Sequence, residues 1–175
     1  CKKCEAVCPN DAIELSGEEF EKVLEAGTVV IATGAGLYNP EEGEYGYKKQ
    51  ANVITNLELE KMLSSSGGKI SIGGKEPKIA AFILCVGSRL KDGNSWCSRY
   101  CCNNAIKQAI ALTEKDIRAV IFYKDIRTSG KGAEEAYQLA RRKGVEFVRY
   151  SDENPPEVNS GGIRIFDDLA GREIQ

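Results

Sequence analysis

Histidine is absent from all 175 residues of this chain. Its absence removes the usual general base, the Ser-His and Cys-His nucleophile pairs, and every zinc site that mixes cysteine with histidine. The chemistry of this protein must therefore depend on thiolates, carboxylates and lysines, or on a bound cofactor.

An excess of basic residues is lacking too, because 24 Lys and Arg stand against 26 Asp and Glu. The resulting net charge of −2 provides no electrostatic footprint for nucleic acid. No apolar run approaches the ~20 residues of a membrane-spanning helix, and no segment resembles a signal peptide. We therefore expect a cytoplasmic protein. Because the chain begins with Cys1 rather than Met, we also expect it to be an internal piece of a longer protein.

Cysteine is abundant, with seven residues in two groups. In a reducing compartment such a pattern is typical of metal or redox chemistry rather than of disulfides. The first group, Cys1, Cys4 and Cys8 followed by Pro9, has the spacing C-x2-C-x3-C-P, the last three-quarters of the bacterial ferredoxin run. We expect these cysteines to ligate iron–sulfur clusters, with the lead cysteine lying three residues before Cys1. A zinc site that lacks one ligand is the alternative.

The second group consists of Cys85, Cys97, Cys101 and Cys102. Adjacent cysteines cannot easily bridge each other, but both can bind one larger group. The apolar period of the following helix places Cys101 and Cys102 on its buried face, at the N-terminal end, where the helix dipole favours thiolates. Cys85 ends the preceding predicted strand, where ligands collect in doubly wound sheets. We interpret the four cysteines as ligands of an iron–sulfur cluster; inert thiols or a four-cysteine zinc site are the alternatives.

The surrounding pattern predicts an α/β fold. Predicted strands at 79–86, 119–123 and 145–148 alternate with helices at 100–114 and 133–143, which indicates a Rossmann-like parallel β-α-β-α-β unit. The loop after the first strand lacks G-x-G-x-x-G, so NAD(P)H binding in this unit is disfavoured.

Two shorter segments precede this unit. The run 28–34 predicts a buried strand that ends at Ala32, Thr33 and Gly34 in a glycine turn against a ligand, although the pattern alone fits a plain buried strand equally well. A short helix is predicted over 57–63, capped by Thr55 or Asn56.

Taken together, these motifs carry a family resemblance. The ferredoxin-type motif, Val-Val-Ile-Ala-Thr-Gly, Asn-Val-Ile-Thr, Cys-Val-Gly-Ser-Arg, Cys-Ser-Arg-Tyr-Cys-Cys and Ala-Ile-Lys-Gln-Ala occur in this order. In this the chain resembles the A subunit of heterodisulfide reductase and its relatives. The resemblance implies a fragment of a thioredoxin-reductase-like flavoprotein with a ferredoxin-like N-terminal remnant, FAD, and 4Fe-4S clusters that relay or split electron pairs.

The resemblance also implies roles for individual residues. Cys85, Cys97, Cys101 and Cys102 would ligate the cluster nearest the flavin, Cys1 and Cys4 a ferredoxin-type cluster, and Cys8 a second one. Ala32, Thr33 and Gly34 would lie against FAD. Lys107 would lie near the isoalloxazine and stabilise its reduced, anionic form, with Glu58 as its charge partner. The helical period disagrees, because it places Lys107 off the buried face, where a solvated lysine is equally expected.

We accordingly expect four segments: a ferredoxin-type motif (1–16), part of an FAD-binding domain with a connector (17–67), the Rossmann-like unit (68–152), and strands returning to the flavin domain (153–175). The expected function is electron transfer in a heterodisulfide-reductase-like or quinone-interacting complex, with ferredoxin or hydrogenase-type carriers as partners. The alternatives are a flavin-linked dithiol/disulfide reductase that uses Cys101 and Cys102, and a zinc-stabilised scaffold protein.

Overall fold

The structure, a computed structural model, describes residues 2–34, 36–65 and 69–175. The chain forms two compact units, Cys1–Gly36 and Leu37–Gln175. The first contains α1 (Lys3–Ala6). The second contains, in chain order, a 3₁₀ helix (Glu44–Gly46), α2 (Asn56–Ser64), β1 (Ile79–Ile83), α3 (Cys101–Thr113), β2 (Arg118–Tyr123), α4 (Ala133–Arg142), β3 (Glu146–Arg149), β4 (Glu157–Asn159), β5 (Gly162–Asp167) and β6 (Arg172–Ile174).

A parallel sheet in the order β1-β2-β3 is the centre of the second unit. Its middle strand pairs Ile121 with Phe82 on one side and with Phe147 on the other. Four consecutive residues of β2, from Ala119 to Phe122, are buried. A strand covered on both faces must be apolar throughout rather than alternating, which explains the continuous run in the sequence.

The two faces of this sheet are covered differently. Ile121 belongs to a core that includes Ile106 and Leu112 of α3 and also residues of α2 and α4. Val120 and Phe122 point to the opposite face, where they pack with Val148, Tyr150 and Ile165. Ile165 lies on β5, the middle strand of an antiparallel sheet ordered β4-β5-β6. No helix in the described residues is long and apolar enough to cross a membrane.

The prediction of a mixed α/β fold with a parallel sheet is confirmed. The first strand is shorter than the predicted 79–86, because β1 ends at Ile83. Cys85 has a φ of 64°, in the left-handed region that no strand residue occupies. The apolar run therefore continues past the strand into a turn.

The predicted buried strand over 28–34 is wrong. No strand is present in the described part of the first unit, and the side chains of Val29, Val30 and Ile31 are 79%, 83% and 83% exposed. A parallel strand requires a neighbour for its N–H and C=O groups, and no described residue of this unit supplies one. Hydrophobicity alone predicted burial here, whereas pairing decides whether a strand forms.

Helix α2 begins with a capping box. The Thr55 Oγ1 accepts from the Glu58 backbone N–H at 3.3 Å, while the Glu58 carboxylate accepts from the Thr55 N–H at 2.7 Å. This confirms the predicted cap at Thr55, with the helix starting at Asn56.

We expect Thr55→Ala to lower the free energy of unfolding by about 1 kcal/mol, because the Glu58 backbone N–H at the helix start loses the hydroxyl oxygen to which it donates. Urea denaturation of both proteins measures this difference. Ser64→Ala, an exposed position at the other end of the same helix, should leave the midpoint unchanged. Equal midpoints for wild type and Thr55→Ala would contradict the role of the cap.

Candidate functional site

Three thiols meet where β1 and β2 end and α3 begins. The Cys101 sulfur lies close enough to the thiols of Cys85 and Cys102 for the three to shift one another's pKa. Cys102 also lies 3.9 Å from the backbone oxygen of Asp125, which follows β2. Cys85 and Cys102 are 7% and 3% exposed, and Cys101 is partly buried. We call Cys85, Cys101 and Cys102 the thiol triad.

Local structure explains how these residues converge. Cys101 and Cys102 are the first two residues of α3, which has no side-chain cap, so the positive end of the helix dipole lies at the triad. Cys85 enters the site by a turn in which its own φ is 64° and that of Gly87 is 65°. A left-handed non-glycine residue costs about 1–3 kcal/mol and is typical of functional sites. The strained turn aims the Cys85 thiol at the helix.

The three thiols of the triad differ in how readily they ionise. Hydrogen bonds from the thiols of Cys102 and Cys85 lower the pKa of Cys101 well below its ordinary value of 9.0. The bond to Cys101, together with burial, raises the pKa values of Cys85 and Cys102 above that value. Cys101 is therefore the member of the triad that ionises most readily.

These pKa directions predict how alkylation by iodoacetamide depends on pH. An ordinary thiol of pKa 9.0 loses about 100-fold in thiolate, and hence in rate, between pH 8 and pH 6. Cys101 should keep its rate over this range because its pKa lies lower, whereas Cys85 and Cys102 should stay unlabelled until the pH exceeds 9.0. Mass spectrometry of the metal-free chain after short pulses measures each site.

The same pulses in urea serve as the control, because there every thiol should follow the ordinary profile. A 100-fold decline at Cys101 in the folded chain would contradict the assignment of the thiolate.

The fourth predicted ligand, Cys97, is separate from the triad. It lies on the loop before α3, partly buried, and its Sγ accepts from the Arg99 backbone N–H at 3.3 Å. Across residues 2–34, 36–65 and 69–175, no group of three or more Cys, Asp or Glu side chains is arranged to hold a metal ion. The structure thus brings together three of the four predicted ligands, and their ligand role stays a prediction.

The N-terminal cysteines lie in the first unit. Cys4 is exposed on α1, and Cys8 is partly exposed on the turn that follows. The Cys8 sulfur accepts from the Ala12 backbone N–H at 3.4 Å, and the N–H groups of Ala12 and Asn10 lower its pKa. Hydrogen bonds to sulfur are one of the means by which proteins tune iron–sulfur clusters. Cys1 lies outside the described residues.

The predicted flavin residues are found in both units. Ala32, Thr33 and Gly34 are exposed in the first unit, where Gly34 has a φ of 77°. Lys107 lies on the solvent side of α3 with a 70% exposed side chain, as the helical period predicts, and its Nζ is 2.7 Å from Glu60. The Glu58 carboxylate is held instead in the capping box. The pairing of Lys107 with Glu58 is therefore corrected to Glu60, whose pKa is lowered by the Lys107 ammonium.

Sequence reasoning missed two charged residues beside the triad. The Arg89 Nη1 lies 3.9 Å from the Cys85 sulfur, and its Nη2 donates to the Asp125 carboxylate at 2.6 Å. Both residues follow the carboxyl ends of predicted strands, which in parallel sheets converge at one edge. Their location just after two predicted strands could have indicated that both residues lie at this edge of the sheet. It could not have indicated that Arg89 pairs with Asp125.

Known proteins share much of this sequence, although no protein family model matches the chain. The A subunit of the H2:CoB–CoM heterodisulfide,ferredoxin reductase of Methanothermobacter marburgensis is 43% identical over 159 residues, covering 85% of this chain and 24% of that protein. The A subunit of the ferredoxin/F420H2-dependent CoB–CoM heterodisulfide reductase of Methanosarcina acetivorans is 40% identical over 158 residues, covering 85% and 20%.

A third relative aligns with the whole chain. It is the iron–sulfur A subunit of the CoB–CoM heterodisulfide reductase of Methanocaldococcus jannaschii, 37% identical over 188 residues, covering 100% of this chain and 29% of that protein. The chain therefore spans about a quarter of the length of these relatives. Over most of its length it is homologous to a segment of the A subunit of CoB–CoM heterodisulfide reductases.

Proposed function

We propose that this chain is the electron-transfer portion of a flavin- and iron–sulfur-dependent oxidoreductase of the heterodisulfide reductase A type. The observation that carries the proposal is the thiol triad at the end of the parallel sheet. The homologous proteins are named as reductase subunits, and one is named as an iron–sulfur subunit.

The donor set of the triad fits an iron–sulfur cluster. It consists of sulfur alone, and thiolates are the ligands that hold such clusters. Cys101 already favours the thiolate form, and the burial of Cys85 and Cys102 shields the site from water. These three cysteines, together with Cys97, would hold a 4Fe-4S cluster. Such a cluster, when bound, supplies one-electron transfer.

We assign the N-terminal motif to further clusters. Cys4 and Cys8, with Cys1, would serve ferredoxin-type 4Fe-4S clusters, and the Ala12 N–H would stabilise the Cys8 thiolate. With this assignment, the first unit would be a ferredoxin-like remnant. The second unit, with its parallel β-α-β-α-β arrangement, would be Rossmann-like.

FAD is the second cofactor in this proposal. Ala32, Thr33 and Gly34 would lie against it, where the absence of a side chain at Gly34 permits close approach. Lys107 would supply positive charge near the isoalloxazine. Its ion pair with Glu60 is solvent-exposed, so either side chain can change partner at little cost in stability.

The names of the relatives suggest the partners. They mention H2, ferredoxin, F420H2 and the CoB–CoM heterodisulfide. We propose that this chain works in a cytoplasmic complex with other subunits of a heterodisulfide-reductase-like or quinone-interacting complex. There it would exchange electrons with ferredoxin or hydrogenase-type carriers and split electron pairs between them. The net charge of −2 gives no support for nucleic acid as a partner.

Anaerobic reconstitution of the full chain with iron and sulfide tests the proposal. We expect brown protein with broad visible absorbance and, after reduction, the EPR signal of a reduced cluster. Cys101→Ser should lose the share of iron held by the triad and the corresponding signal. Thr113→Ser, at the opposite end of the same helix, should keep both.

Two outcomes would overturn the proposal. Colourless, EPR-silent protein with one bound zinc would indicate a scaffold protein. Iron-free protein with two titratable thiols at Cys101 and Cys102 would indicate a dithiol/disulfide reductase.

A further inference from the structure

We propose that Arg89, anchored by Asp125, is a positioning residue that holds the Cys85 sulfur and places a positive charge against it. The inference rests on the proposed cluster at the thiol triad and adds to it a residue outside the ligand set. In this role, Arg89 slows the loss of the cluster and tunes its reduction potential.

The geometry is that of a two-ended clamp. One guanidinium nitrogen of Arg89 lies 3.9 Å from the Cys85 sulfur, and the other donates to the Asp125 carboxylate at 2.6 Å. Asp125 follows β2 and Cys85 follows β1, so Arg89 joins the ends of two neighbouring strands. The planar fork of arginine suits this geometry because its donors are fixed relative to one another, whereas a lysine offers one flexible point charge.

Burial shows that Arg89 is held in place. Its side chain is 19% exposed, whereas the arginines of the surface ion pairs, Arg118 and Arg164, are 57% and 52% exposed. Arginine is rarely buried unless it is paired. Asp125 supplies the pair and is also approached by Arg149 at 3.5 Å.

The backbone of Arg89 is fixed as well. Its φ of 58° lies in the left-handed region, its N–H donates to the Trp96 oxygen at 3.2 Å, and its own oxygen accepts from the Lys124 ammonium at 3.4 Å. Left-handed residues persist only where the surroundings determine them strongly. The loop therefore delivers the guanidinium to Cys85 as a preorganised group.

Two consequences follow for a ligand sulfur held in this way. Some residues do not bind the metal themselves but hydrogen-bond to one of its ligands, and mutation of such a residue typically lowers metal affinity 10–100-fold. Hydrogen bonds to sulfur and local charge also set the potential of a cluster, and a cation favours the form that carries the additional electron. Arg89 should therefore slow the loss of iron and raise the potential.

The test compares variants in the reconstituted full chain. Arg89→Gln should lose iron to a chelator at least 10-fold faster than wild type. It should also lower the equilibrium constant for reduction about tenfold, a shift of about 59 mV to more negative potential for one electron. Arg89→Lys keeps the charge and should recover part of the potential but less of the retention.

The anchor is tested separately. Asp125→Asn should accelerate iron loss, and the double variant should be no faster than Arg89→Gln, because both changes release the same clamp. Arg118→Gln is the matched control, since Arg118 pairs with Glu146 in an exposed ion pair at the start of β2 and should behave as wild type.

Unchanged iron loss and unchanged potential in Arg89→Gln would overturn the inference. A variant that loses iron faster at unchanged potential, with no recovery in Arg89→Lys, would overturn it as well, because that result describes a merely structural ion pair. Failure of the proposed function looks different: the wild type itself would bind no iron. The two ideas can therefore be judged independently.

Discussion

Gly87→Ala is expected to lower the free energy of unfolding by about 3 kcal/mol and to prevent the proposed iron–sulfur cluster from being retained at the thiol triad. Two costs combine at this position. The φ of Gly87 is 65°, where a residue with a Cβ is strained by about 1–2 kcal/mol. A Cβ built on Gly87 would also lie less than 3 Å from the Tyr38 ring, and overpacking of that kind costs about 1–3 kcal/mol.

The functional consequence follows from where Gly87 lies. It is two residues after Cys85, and its backbone oxygen accepts from the Asn94 side chain at 3.0 Å. The turn that carries Cys85 into the triad is therefore packed beneath Tyr38, whose hydroxyl donates to Glu44 at 2.9 Å. Displacement of this turn would move the Cys85 thiol away from α3.

Two variants separate the costs. Gly93 has a φ of 103°, but its added Cβ would meet only Leu90 at 3.9 Å, so Gly93→Ala should show the backbone strain alone. Tyr38→Ala removes the ring, so adding Gly87→Ala to it should cost less than Gly87→Ala costs in the wild type. Urea denaturation measures the stability of five proteins, namely the wild type, the three single variants and the double variant. Equal stabilities of Gly87→Ala and Gly93→Ala would show that the Tyr38 contact is unimportant.

Gln108→Met is expected to cost about 2 kcal/mol, the second largest effect. Gln108 is 2% exposed, and its amide links α3 to α2. Its Nε2 donates to the Asn56 oxygen at 2.9 Å and to the Glu60 carboxylate at 3.0 Å, while its Oε1 accepts from the Asn56 side chain at 2.8 Å. Methionine preserves the volume of the side chain but leaves these hydrogen-bonding partners unsatisfied. Each buried partner left unsatisfied costs about 1–3 kcal/mol, and the cost is smaller where water can replace the lost hydrogen bond.

Lys107→Met is the matched control on the neighbouring residue. Lys107 contacts the same Glu60, but through an exposed ion pair that is worth about 0–1 kcal/mol. Thermal or urea unfolding of the two variants should therefore separate them by at least about 1 kcal/mol. If Lys107→Met were as destabilising as Gln108→Met, the link between α2 and α3 would depend on charge rather than on the buried amide.

Much of the second unit could be predicted because its signals are local. The β-branched and aromatic run of β2, the apolar period of α3 and the Thr55–Glu58 capping box each lie within a few consecutive residues. Parallel strands separated by helices then leave few possible arrangements. The same local reasoning placed Cys101 and Cys102 at the buried start of α3, as the structure has them.

The first unit shows where such reasoning stops. The run 28–34 is as apolar as β2, yet no strand forms in the described part of that unit. A strand is defined by pairing, and pairing depends on a neighbour that local sequence cannot specify. The burial of residues 28–34 was predicted from their apolar composition, but the structure shows these residues exposed.

The sequence by itself indicated the kind of chemistry to expect: the chain has no histidine, and its seven cysteines fall in two spaced groups. Tertiary structure alone decided which of these thiols meet and which charges face them. Arg89 and Asp125 are separated by 36 residues, and Asn56 and Gln108 by 52. Contacts of that kind arise when strand ends and helix faces are brought together in space, and no period or spacing in the chain records them.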